Sequence, residues 1–111
     1  MSESADEVKT LTRREMVRLL SDRTGLDHRK MAEILEETLG LMTEELAQGN
    51  RIELRNFGVL EVFEGGARTG RNPLEPSETI SVPARAKVRF RPGKALREKV
   101  ARILPQIRMR E

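Results

Sequence analysis

Between Met16 and Leu46 the apolar residues return every third or fourth position, and from Arg51 onward they return every second. The chain therefore changes from helical to extended periodicity near its midpoint. Thr12 opens the first helical stretch with the spacing T-x-x-E to Glu15, a capping box, and Leu11 and Met16 stand where a hydrophobic staple would. Met16, Leu19, Leu20 and Arg23 keep the helical spacing until Gly25 ends it. Asp27 is suited to cap a second, longer helix that reaches Gln48 and closes at Gly49. This helix is apolar over a wide arc, with Met31, Ile34, Leu35, Leu39, Leu41, Met42 and Leu46. One short neighbouring helix cannot cover such an arc, and few other apolar residues remain, so a second chain is expected to share it.

In "RIELRNFG" Ile52 and Leu54 alternate with Arg51, Glu53 and Arg55, and in "VLEVFE" Leu60 and Val62 do the same, with a turn around Phe57. Gly65-Gly66 loosens the end of the second strand. A third strand puts Ile80, Val82, Ala84, Ala86, Val88 and Phe90 on one face and Ser81, Pro83, Arg85, Lys87, Arg89 and Arg91 on the other. Between strands two and three, residues 66–84 form a polar excursion with Arg71-Asn72-Pro73 near its tip and no evident tight turn. "RPGKALREKVARIL" then opens a final helix at Pro92, with Leu96, Val100, Ile103 and Leu104 on one side. The expected organisation is an acidic, flexible tail over 1–10, one α+β domain over 11–104 with an arm at about 66–84, and a C-terminal tail over 105–111.

Net charge is only +3, but it is unevenly spread. Residues 1–50 hold seven Lys and Arg against eleven Asp and Glu, whereas residues 51–111 hold fourteen against seven. Arg85, Lys87, Arg89 and Arg91 share one face of a strand, and residues 79–97 contain no acid. A charged outer face can merely guard a sheet against edge pairing, but such faces carry mixed signs, so a polyanionic partner is the better reading. Only Phe57, Phe63 and Phe90 are aromatic, and Phe57 and Phe90 read as core. No stacking platform for single strands remains. The cations lie on a strand and not on an amphipathic helix, which disfavours a membrane surface. Duplex DNA held by its backbone is left, with an arm that reaches around it. Pro73 at the tip is either an ordinary turn residue or an apolar wedge that enters the minor groove between base pairs.

Other functions have weak support. The chain has no Cys, its single His28 stands beside the cap Asp27, and no His, Asp or Glu cluster has metal-ligand spacing. Glu36-Glu37 and Glu44-Glu45 read as solvated helix faces. Neither an enzyme nor a cofactor, metal or small-molecule substrate is expected. The absence of Cys and of any long apolar run fits a soluble cytoplasmic protein. A protein-interaction module that docks through the apolar second helix is the alternative from another class.

"RTGRNP", the "NFG" turn and the strand ending "SVPARAKVRFRPGKALREKV" resemble the HU/integration host factor family of bacterial DNA-bending proteins, from Leu11 to Ile103. The resemblance implies an intertwined dimer, of identical chains or with a paralogue, having a helical base, a three-stranded β saddle and two protruding β-ribbon arms. It implies that Pro73 is the intercalating wedge within Gly70-Arg71-Asn72-Pro73 and that Arg68 and Arg71 are minor-groove residues. Arg55, Lys87, Arg89 and Lys94 would touch phosphates, beside Arg85 and Arg91 of the same basic strand face. Such a protein packages the nucleoid without strong site preference or, in the host-factor manner, bends preferred sites in transcription or recombination. Three departures stand out: Asn56 replaces a usual Gly, Leu60 replaces a usual core Phe, and the tip "PLEPSETI" is longer by about one residue and carries Pro76.

Overall fold

The computed structural model describes residues 8–110, with the backbone alone at Arg68, Thr69, Arg71 and Asn72. Most of the expected acidic tail lies outside the described residues. Helix α1 (Arg13–Thr24) starts where Thr12 Oγ1 accepts the Glu15 N–H at 3.2 Å. The Glu15 carboxylate turns to Arg18, one turn further along the helix. Gly25, at φ 78°, ends α1, and its N–H returns to the Ser21 carbonyl. Ser21 is buried and donates its hydroxyl to the Leu26 carbonyl, which fixes the corner between the helices. Helix α2 (His28–Ala47) begins with Asp27 Oδ1 accepting the Lys30 N–H at 2.8 Å. Gly49, at φ 83°, follows it.

Strands β1 (Ile52–Leu54), β2 (Gly58–Gly65) and β5 (Arg85–Pro92) form an antiparallel sheet in the order β1-β2-β5. The turn between β1 and β2 passes through Asn56 at φ 68°, a left-handed position that Asn tolerates better than most residues other than Gly. Beyond Gly65 the chain leaves this sheet and builds a separate antiparallel ribbon from β3 (Arg68–Asn72) and β4 (Glu75–Val82). A register shift falls between Arg71 and Asn72, and Asn72 faces Glu75 across the end of the ribbon. Helix α3 (Lys94–Ala101) and a short α4 (Leu104–Met109) finish the chain.

Four expectations need correction. The strand read continuously from Ile80 to Arg91 is interrupted at Pro83-Ala84, because Val82 pairs in the ribbon with Arg68 while Arg85 pairs in the sheet with Gly65. The arm does close tightly, through Pro73-Leu74. The last helix starts after Gly93 and not at Pro92, which still belongs to β5 and faces Gly58. Residues 104–109 are helical and not a tail, with Pro105 in the first turn, where a missing N–H costs nothing.

Among the described residues, only Met31 and Leu35 are buried apolar side chains. Phe57 and Phe90, expected in the core, are 49% and 39% exposed. Their rings meet at 5.2 Å between centroids on the apolar side of the sheet, and both stay partly open to solvent.

Candidate nucleic-acid interface

Directly paired residues of an antiparallel sheet point to the same side. The register sets Arg91 opposite Val59, Arg89 opposite Glu61, Lys87 opposite Phe63 and Arg85 opposite Gly65. All four cations therefore line one face of β5, and all four are exposed. Their row runs about 20 Å, from the helical end of the sheet to the root of the ribbon. The opposite face pairs Leu60 with Phe90 and Val62 with Val88, so one strand serves an apolar layer and a charged surface at once.

Gly65 shapes one end of the row. A Cβ there would stand 2.8 Å from Lys87 Cε, so the missing side chain lets the lysine stem lie across the strand. At the other end the Gly93 N–H donates to the Phe57 carbonyl at 2.8 Å. This bond holds the Arg55–Phe57 turn against the start of α3, so Arg55 and Lys94 stand at the same end of the sheet as Arg91. The ribbon carries the remaining candidates. Arg68, Arg71 and Asn72 lie along β3, and Pro73 is exposed in the closing turn.

The row is not a simple array of free cations. Glu61, from β2, accepts the Arg89 Nε–H at 2.9 Å and an Arg91 Nη1–H at 3.2 Å. The Arg89 guanidinium also lies 4.6 Å from the centre of the Phe63 ring, a cation–π contact. The Glu61 carboxyl is held below the ordinary glutamate range, first by the Arg89 hydrogen bond and then, against some desolvation, by the two guanidinium charges. This cluster is not legible in the sequence, because residues 79–97 hold no acid and Glu61 is 28 residues from Arg89 in the chain. Leu74 shares the tip turn with Pro73 and is 90% exposed. Its only sequence signal was an apolar residue in a polar excursion.

Nothing among the described residues groups three or more His, Asp or Glu side chains in a way that could hold a metal ion. No helix among them is long and apolar enough to cross a membrane.

The comparisons with known proteins point to one family. The family model described as bacterial DNA-binding protein matches residues 11–101. DNA-binding protein HU of Thermotoga maritima is 36% identical over 90 residues, which cover 81% of this chain and 99% of the relative. Integration host factor subunit alpha of Stenotrophomonas maltophilia is 38% identical over 90 residues, 81% of this chain and 90% of the relative. An Anabaena HU protein, in a cocrystal with DNA, superposes with a TM-score of 0.75 at 31% identity, covering 81% of this chain and 97% of that one. On the family-model match and these relatives, this chain belongs to the HU/integration host factor family of bacterial DNA-binding proteins.

Proposed function

We propose that the protein is an architectural component of the nucleoid that binds duplex DNA as a dimer, on the sheet face that carries Arg85, Lys87, Arg89 and Arg91, and bends it with its ribbons. The observation that carries this reading is the one-sided cation row rooted at a protruding ribbon, since a backbone-reading protein needs a charged bed and something to embrace the duplex. Arg55 and Lys94 extend the bed at its helical end. Arg68, Arg71 and Asn72 accompany Pro73 along the ribbon into the minor groove, where a narrow, negative channel suits cations and an apolar residue can enter a base step. The protein supplies no catalytic group in this scheme. Its work is to hold phosphates and stabilise a deformed duplex, in the cytoplasm where chromosomal DNA lies.

Salt dependence tests the reading. Log affinity for a duplex without special sequence should fall linearly and steeply with log salt concentration, because neutralised phosphates release counterions. Lys87→Ala should flatten that slope by about one unit and weaken binding similarly on every duplex sequence. An affinity indifferent to salt would exclude the sheet face as the DNA bed.

A further inference from the structure

The sheet face proposed to receive DNA contains one acid in the middle of its cations, and its placement has a consequence for binding. The Glu61 side chain is 14% exposed, while Arg89 and Arg91 are 49% and 66% exposed. The carboxylate is thus packed low on the sheet, and the two guanidinium groups fold toward it. Arg89 donates its Nε–H to Glu61 and sets its guanidinium over the Phe63 ring. In the free protein these contacts occupy half of the four-residue row. A phosphate that approaches Arg89 or Arg91 meets a group already paired with an anion of the same sign as itself.

Resting on the DNA-binding reading above, we infer that Glu61 is an internal counter-anion which competes with DNA phosphates for Arg89 and Arg91 and so sets the affinity and salt response of the sheet face. Two routes lead to the same sign. If the arginines swing to phosphates, the exposed ion pairs must first be given up, and these are individually weak enough to exchange. If they stay and are shared, Glu61 keeps the Arg89 Nε–H and an Arg91 Nη1–H and the charge they carry, so each phosphate gains less from these two guanidinium groups. Either way the cluster offers DNA less positive charge than two free arginines. An affinity-limiting acid keeps the protein exchangeable along a polymer that presents the same backbone everywhere, and it leaves Lys87 and Arg85 to make the first contacts.

Glu53 supplies an internal comparison. It faces Val59, which faces Arg91, so it lies on the same side of the sheet, one strand further out and exposed. No ion pair of Glu53 occurs among the described residues. Glu53→Gln thus removes the same charge from the same face without releasing an arginine.

The experiment is a titration of full-length wild type, Glu61→Gln, Glu53→Gln, the double variant Arg89→Ala/Arg91→Ala and the triple variant that adds Glu61→Gln. Each is titrated against one duplex at several salt concentrations. Glu61→Gln should bind roughly three- to tenfold more tightly at low ionic strength, with a salt slope steeper by about one unit. Glu53→Gln should change affinity less and leave the slope unaltered. In the background without the two arginines, Glu61→Gln should lose most of its effect, and this coupling cancels any general change in folding. Weaker binding by Glu61→Gln, with coupling of the opposite sign, would mean that the acid positions the arginines for phosphate and would overturn the inference. So would an effect that persists without the arginines, or one matched by Glu53→Gln. Failure of the wild type to bind the duplex at low salt would instead overturn the DNA-binding reading itself.

Discussion

Gly58 marks the closest approach between β2 and its neighbour. A Cβ built there would stand 2.5 Å from the Phe90 ring and 2.6 Å from the Arg91 carbonyl oxygen. The ring has some room to move, but a backbone carbonyl in a sheet has little. Gly58→Ala should therefore destabilise the fold by about 1–3 kcal/mol, as overpacking of a filled site does, and chemical denaturation would measure it. Two glutamates carry a pH signature at the same scale. Arg18 lowers the Glu15 carboxyl, chiefly through its hydrogen bond, and Arg89 lowers that of Glu61 in the same way. Depressed values mean that the unfolded chain takes up these protons first as the pH falls. The stabilisation from each pair is full above the unfolded glutamate value of about 4.3 and is lost as the pH drops through the lower folded value. Glu15→Gln and Glu61→Gln should each flatten the fall in thermal midpoint on the acid side of that value. A midpoint that falls as steeply in the variants as in the wild type would show that these pairs contribute nothing.

At the scale of elements, what was legible in the sequence was what is decided locally. Thr12 and Asp27 cap their helices with their own side chains, and Gly25 and Asn56 take the left-handed backbone that their positions demand. Strict alternation placed Arg85, Lys87, Arg89 and Arg91 on one face. What was not legible depends on partners distant in the chain. The Glu61 cluster exists because β2 and β5 pair in one register, and nothing in either strand alone announces it. The interruption at Pro83-Ala84 likewise reflects two sheets that share one extended segment, where alternation continues but the pairing partner changes. The ribbon that results stands apart from the sheet and ends in Pro73-Leu74. Holding and bending should therefore separate. Pro73→Ala should keep much of the affinity, which the sheet face provides, yet lose most of the bend, because the wedge that offsets base unstacking is gone. Energy transfer between dyes on the duplex ends would report it, and equal transfer with both proteins would reduce Pro73 to a turn residue.

The whole molecule is far more open than a compact single chain of its length. Its radius of gyration is 19.4 Å, whereas a compact domain of this length would have about 13 Å. It exposes 9809 Å², against roughly 6,200 Å² for a compact monomer of this mass. The ribbon accounts for part of the excess, but the apolar residues show where the rest belongs. Ile34 and Leu41 on α2, Val88 and Phe90 on β5, Phe57 in the turn and Val100 on α3 are all 39–60% exposed. They come from the helical layer and the apolar side of the sheet, the two surfaces that a second copy of the chain would cover in the proposed dimer. Two buried apolar side chains cannot offset the conformational entropy of about a hundred ordered residues, so folding and association should be one step. The thermal midpoint should rise by a few degrees for each tenfold increase in protein concentration. Leu35→Ala, which opens a cavity beside Met31, should weaken association as well as stability, because in the proposed dimer folding and association are one step. Sedimentation across the same concentrations supplies the check. A monomer mass together with a midpoint independent of concentration would show that the single chain folds unaided, and the exposed apolar surface would then need another occupant.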